Sequence, residues 1–587
     1  MSVAVQRCSV ADRIASSAWL AIVIALVASL SLPSVALAQK KPGTAAKAQD
    51  VPDSGPLVVV SIASVERLLK QADVAFESAG RVELSETIGT ALEGVNDLKG
   101  LDRNKPLGLL VYLQGITPQV VAFAPVENLD DLLKTVELGP VTTKKVADDR
   151  IEIAGPQRTL IGKIQRGYVF ISNSDEALDH EFGDPARFTG KLSAVYDLAA
   201  SINLKSLPPL TRDLFLGYIR SQTEINLQRR DNEPEGAYRI RKADGMRNLE
   251  FIELLLSQGE ELTLGWSVSQ TERSAALEVI ALATPESELA SNFNQLNAVR
   301  SQFANLIKDT SKFPLVASLS WKTDKSGQKF MKELFAGVEM ELGKQLAKAS
   351  NSSGTGAPAT ADATTEAALH DLLDVLRDTA QVGHFDFAAQ FVGEPGTPFV
   401  LLGGLKVTNG DKLSNALADI VTRLKGNAEL AEAQTNAAEH KGVRLHRIQP
   451  KRMGEAEERL YGTKPNFYFG AGGKAFWFAI GGDNALVELR KAIDIVDKPV
   501  SDTAASVPFQ FVMNFSKWMD IFGGGTGSSD GFASRARSAF NKGGDTLRID
   551  VKPLDNGLRL RVQLDEAFLR LLGQEIGRNI DRGQRNR

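Results

Sequence analysis

Residues 161–178, IGKIQRGYVFISNSDEAL, align without a gap on residues 469–486, FGAGGKAFWFAIGGDNAL. Gly162 meets Gly470, Phe170 meets Phe478, and Asp175-x-Ala177-Leu178 meets Asp483-x-Ala485-Leu486. Strand, turn and helix start then agree in register, with Asp175 and Asp483 placed as N-caps that accept orphaned backbone N–H groups. Internal similarity of this kind governs every other assignment along a chain.

The similarity extends in both directions. Upstream, LVVVSI (57–62) precedes a helical stretch from Ser64, and LVASLSW (315–321) precedes one from Asp324. Two apolar runs follow in each half, 107–113 with 119–126 and 384–391 with 398–407, and each pair leads into an amphipathic helix. Leu129, Leu132 and Leu133 mark the apolar stripe of the first helix, Leu413 and Leu417 that of the second. Downstream, SINLKSL (201–207) and VMNFSKW (512–518) each run from strand to helix. Each half then ends on a hairpin, LTLGWSVS with ALEVIALA and TLRIDVKP with GLRLRVQL, with Asn556-Gly557 as the expected tight-turn pair. Closing helices start near Glu286 and Asp565.

Hairpins interrupted by helices point to an α+β fold rather than a doubly wound sheet. The expectation is a tandem duplication of a unit with a mainly antiparallel curved sheet and helices packed on one face. The repeats are placed at 56–300 and 312–580, with a basic tail at 581–587. Whether they form two domains or one body stays open at this level.

The N-terminal forty residues have the plan of a signal peptide: Arg7 and Arg13, an apolar run at 18–30, Pro33, then small residues at Ala36 and Ala38. Cleavage after Ala38 is expected, leaving 39–55 as a Pro/Gly/Ala-rich tether; the alternative is an uncleaved anchor. Export to the periplasm, the envelope or the medium follows, with no transmembrane span in the mature chain. The single cysteine, Cys8, falls inside the leader, so the mature chain can have no disulfide, thiol nucleophile or zinc–thiolate site. The formal charge is −4, and removing a leader that carries +1 leaves −5. That balance, with Lys and Arg scattered, predicts no nucleic-acid partner.

The halves differ at 350–366, a low-complexity insertion expected to be disordered, at 452–462, a charged helical segment, and at 217–258, a charge-dense interlude. The glycine cluster at 523–527 lacks the lysine of a phosphate loop and reads as a connector.

No metal, cofactor or nucleophile signature is present. The five histidines, His180, His370, His384, His440 and His446, show no i, i+4 pairing. The densest aromatic run, Phe467, Tyr468, Phe469, Phe476, Trp477 and Phe478, is assigned to the core. No catalytic, cofactor-binding or metal-ligating residue is assigned. The functional expectation is an exported, non-catalytic protein that binds a ligand or an envelope protein between its halves. The alternatives are a hydrolase without a local motif and a structural protein of an envelope assembly.

Overall fold

The computed structural model describes residues 55–585 apart from 157, 180, 308, 353–362, 395–396, 428, 499–506 and 519–530. The leader with Ala36 and Ala38, the tether up to residue 54, His180, the glycine cluster at 523–527 and the last two residues of the basic tail lie outside the described residues.

The first half runs β1 (Val58–Ile62), α1 (Val65–Ala79), α2 (Glu83–Glu93), β2 (Leu107–Gln114), β3 (Thr117–Pro125), α3 (Leu129–Val136), β4 (Thr142–Ala147), β5 (Arg150–Ala154), β6 (Thr159–Gln165), β7 (Tyr168–Ser172), α4 (Pro185–Val195), β8 (Leu198–Asn203), α5 (Pro209–Asn226), α6 (Glu235–Gln258), β9 (Gly259–Ser269), β10 (Ser274–Ala283) and α7 (Glu288–Asn294). The second runs β11 (Leu315–Lys322), α8 (Lys325–Ser352), α9 (Ala363–Gln381), β12 (His384–Val392), β13 (Val400–Lys406), α10 (Gly410–Leu424), β14 (Leu430–His440), β15 (Val443–Pro450), α11 (Glu455–Tyr461), β16 (Asn466–Gly472), β17 (Ala475–Gly481), α12 (Ala485–Val496), β18 (Phe509–Asn514), α13 (Gly531–Phe540), β19 (Thr546–Leu554), β20 (Gly557–Leu564) and α14 (Glu566–Arg585).

Among the described residues, every strand belongs to one antiparallel sheet. From one edge it reads β4-β5-β6-β7-β3-β2-β1-β8-β9-β10, the last paired to β20. It continues β20-β19-β18-β11-β12-β13-β17-β16-β15-β14 to the other edge. Taken from the edges inward, the two ten-strand successions have the same relative order. Both edges are blunted: β4 presents exposed Lys144 and Lys145, and β14 is broken by two register shifts.

Several helix starts fall where side-chain chemistry places them. Ser64, Asn128 and Asn409 accept from the N–H groups of Arg67, Asp131 and Lys412 at 3.0, 3.1 and 2.9 Å, and Asp324 caps α8 through Gly327 at 2.7 Å. Asp175 and Asp483 do not act as expected. Asp175 makes no capping bond and pairs with Arg150 instead, while α12 starts after Asn484 without a side-chain cap. The loss of about 1 kcal/mol expected from removing a cap therefore does not apply to Asp175, whose side chain is 64% exposed; such ion pairs contribute about 0–1 kcal/mol.

The ungapped register also needs correction. The first hairpin closes at Gln165–Tyr168 and the second at Gly472–Ala475, so the position matching Gln165 is Gly472 and not Gly473. A one-residue slip exchanges the faces of a strand. Phe170, stacked on Phe182 at 4.2 Å, thus corresponds to Trp477, and Phe478 lies on the other face. The β19–β20 turn is likewise shifted: Leu554 pairs with Gly557, so Asp555 and Asn556 form the turn, with Asn556 at φ 53°.

Helices cover both faces rather than one. On one face of the second half, Val400, Leu402, Trp477 and Ala479 meet Ala485, Leu489 and Ile493 of α12. On the other, Leu405, Phe469, Phe476 and Phe478 meet Val375 of α9 and Leu413, Leu417 and Val421 of α10. The strands carry bulky apolar side chains at both parities, so both faces require cover. The aromatic run is core, as expected, but divided between two layers. The insertion 350–366 is helical at both ends, at 350–352 in α8 and 363–366 in α9, and 353–362 lie outside the described residues. The interlude 217–258 consists of parts of α5 and all of α6, the latter packed along α8.

The two halves form one body, tied together by elements as well as by the β10–β20 ladder. The C-terminal α14 crosses α1, and Gly573 permits the approach: a Cβ there would stand 2.2 Å from the Ala75 carbonyl oxygen. In return α7, from the first half, packs on Leu558 of β20.

Candidate functional site

Across the central strands β1, β8, β9, β10, β20, β19, β18, β11 and β12 one face is apolar and part-exposed, while the other mixes polar with small apolar side chains and is the more buried of the two. Along β11, Leu315, Ala317, Leu319 and Trp321 stay part-exposed while Val316, Ser318 and Ser320 on the opposite face are buried. The cross-strand register extends the part-exposed apolar side across all nine strands, whereas the opposite side is buried on most of them and part-exposed on β20. One continuous row reads Val60, Ala200, Leu264, Val279, Leu560, Val551, Phe509, Leu319 and Phe387. None of these is buried, and Leu264 at its middle is 42% exposed. The neighbouring row, Ile62, Leu198, Trp266, Leu277, Val562, Ile549, Phe511 and Ala317, is part-exposed throughout. At about 4.8 Å per strand this apolar floor spans roughly 38 Å.

The opposite face carries Ser61, Glu278, Arg561, Asp550, Gln510 and Ser318 in one register row, with Ser61, Glu278, Asp550 and Ser318 buried. The charge of Glu278 is compensated locally, whereas Asp550 has Lys552 at 4.0 Å. Glu278 accepts from the Tyr196 hydroxyl at 2.8 Å and from Arg561 at 3.2 Å; burial first, and then Glu278, pushes the Tyr196 phenol well above its ordinary pKa. The floor itself presents no charged side chain.

Helices wall the floor along both ends of its strands. Val74 of α1 and Leu569 of α14 close over Trp266, Val268 and Ala275, and Trp518 with Phe399 closes over Leu315, Phe391 and Met513. At the other end α7, with Leu254 and Leu255 of α6, packs on Ala281, Ala283 and Leu558. Where α6 and α7 meet β11, a cleft of about 400 Å³ opens, bounded by Phe251, Leu254, Phe293, Leu296 and Trp321, with Lys322 and Asp324 also on its lining. The arrangement can take up an extended apolar group and offers polar contacts at one end.

The histidines are held by local partners. His370 lies 3.0 Å from Glu339, and His440 Nε2 lies 2.9 Å from Asp494. The arrangement most like a nucleophile and its base is Ser320 Oγ, 3.1 Å from His384 Nε2. Lys406 Nζ sits 3.1 Å from His384 Nδ1 and donates to it, which puts the ring proton on Nε2, facing the serine. Such a ring donates to the hydroxyl and cannot take its proton. Asp386, fully buried, accepts from Ser301 and from the Gln302 N–H at 2.7 Å each and so does not orient the imidazole as a triad carboxylate would. Among the described residues there is no group of His, Cys, Asp and Glu suited to a metal ion, and no helix long and apolar enough to cross a membrane.

His446 is fully buried, and its Nδ1 accepts from the Asn436 N–H at 3.3 Å; burial, and then Arg444, lowers its pKa. A folded-state pKa below the unfolded value of about 6.5 gives a contribution present above pH 6.5 and lost as pH falls through the folded value. The urea midpoint should therefore drop between pH 7 and pH 5, and less steeply in His446→Gln; equal slopes would show that His446 does not carry this dependence.

The floor was not legible as a site in the sequence, although its alternation was. In LVASLSW the apolar and polar parities are plain, but the polar parity reads as the wet one, and only the exposures reverse that. Comparison of the chain with known protein families, with curated proteins and with solved structures finds no match.

Proposed function

We propose that this protein is an exported, non-catalytic carrier or receptor for an apolar, chain-like molecule such as a lipid acyl group, held along the floor of the central sheet, and that the chain arose by tandem duplication. One observation carries the reading: a register row of apolar side chains stays part-exposed across nine consecutive strands, while Ser61, Glu278, Asp550 and Ser318 on the opposite face are buried. Apolar surface left in water at this extent marks a binding surface, and each ~100 Å² that a ligand covers contributes about 2.5 kcal/mol. The matching strand successions on either side of β10–β20 support the duplication, and the donated proton at His384 weighs against a serine hydrolase.

The test is native mass spectrometry of the protein purified from its own envelope fraction, with solvent extraction of whatever accompanies it. A stoichiometric apolar molecule is expected. A bare chain that also fails to take up a fluorescent fatty acid would overturn the reading, and cross-linking to a protein over the floor would favour a structural role in an assembly.

A further inference from the structure

Helix α5 springs from the end of the floor strand β8, through a single 3-10 turn at 204–206, and lies against α6, to which Arg220 is tied through Glu253. Its side chains invert the usual arrangement of a surface helix. Leu210, Leu214, Phe215, Tyr218 and Ile225 are 68%, 54%, 57%, 65% and 55% exposed. At 100° per residue, Leu210, Leu214, Tyr218 and Ile225 fall within an arc of about 80°, with Phe215 flanking it. The helix therefore holds one apolar stripe in water.

We propose that this stripe docks the protein on a phospholipid bilayer surface, so that the apolar molecule passes between membrane and floor; this rests on the reading of the floor as a lipid-binding surface. The dimensions and chemistry favour a bilayer over a protein. At roughly 200 Å² per large apolar residue, five residues a little over half exposed supply roughly 600 Å², short of the ~800 Å² per partner that stable protein complexes bury. An amphipathic helix with a Phe and a Tyr at its apolar boundary is suited to the interfacial layer, where aromatic bodies bury and polar tips stay wet. Within α5, Arg212 and Arg220 balance Asp213 and Glu224, and Arg220 is paired with Glu253, so attachment rests on the apolar stripe and not on headgroup charge.

The experiment is flotation of the intact protein with vesicles of phosphatidylglycerol and phosphatidylethanolamine, alongside uptake of a soluble fluorescent fatty acid. Wild type should float, and the Leu214→Glu/Tyr218→Glu variant should lose at least 80% of the vesicle-bound fraction while taking up the fatty acid as before. Both side chains are exposed in the folded protein, so the variant keeps its core. Flotation unchanged by the double substitution, or no flotation of a wild type that takes up fatty acid, overturns the docking proposal. A wild-type dimer in light scattering that the substitution dissolves overturns it in favour of a second copy. Flotation that depends on the stripe, without fatty-acid uptake, upholds docking and rejects the floor reading alone.

Discussion

Leu264→Glu should reduce the affinity for an apolar fluorescent probe at least 100-fold, about 2.7 kcal/mol, while leaving the fold intact. Leu264 stands at the centre of the floor row, between Ala200 of β8 and Val279 of β10, and its 42% exposure lets a carboxylate reach water in the free protein. A ligand lying across that row would have to bury the charge against its own apolar surface, which costs several kcal/mol without a partner. Leu138→Glu, at a position 60% exposed just after α3, is the matched control and should bind like wild type. Equal affinities for both variants, with unchanged circular dichroism, would remove the floor as the binding surface.

Arg570→Met should cost about 1–3 kcal/mol in urea unfolding, the scale of buried acceptors losing their donor. Arg570 is 5% exposed on α14 and donates from Nε to the Ser78 carbonyl at 3.2 Å, and from Nη1 to the carbonyls of Ala539 and, at 3.4 Å, Gly543. One guanidinium thus joins the C-terminal helix, the end of α1 and the segment leading into β19. Methionine fills similar volume but leaves those carbonyls without their buried donor, and an unmade buried hydrogen bond costs more than a made one contributes. Lys134→Met, at a side chain 71% exposed, should change stability by no more than about 0.5 kcal/mol. An equally small change for Arg570→Met would mean that the halves are held by the β10–β20 ladder without this tie.

Both predictions concern residues that no local pattern in the chain singles out. Leu264 is one leucine of an alternating strand, and Arg570 one cation of an amphipathic helix; neither lies in a motif. The candidate site is spread over nine strands drawn from both halves, and such a site has no local signature because its parts meet only through strand pairing.

What the sequence determined by itself is local. Apolar alternation and turn chemistry place the hairpins, and Ser64, Asn128, Asp324 and Asn409 start helices where a side-chain oxygen can take a free N–H. The leucine spacing in α10 marks the face that meets the sheet. These depend on residues a few positions apart, so a linear reading captures them. The tertiary structure decided the rest. It set the hairpin register to Gly472 rather than Gly473, because strand pairing and not residue identity fixes which face a side chain occupies. It gave Asp175 to Arg150, because a carboxylate takes the partner nearest in space. It merged the halves into one sheet through β10 and β20, and it buried Ser61, Glu278, Asp550 and Ser318 while leaving Leu264 and its row in water. Alternation states that a strand has two unlike faces; which face is covered depends on what packs over it, and that is a property of distant elements.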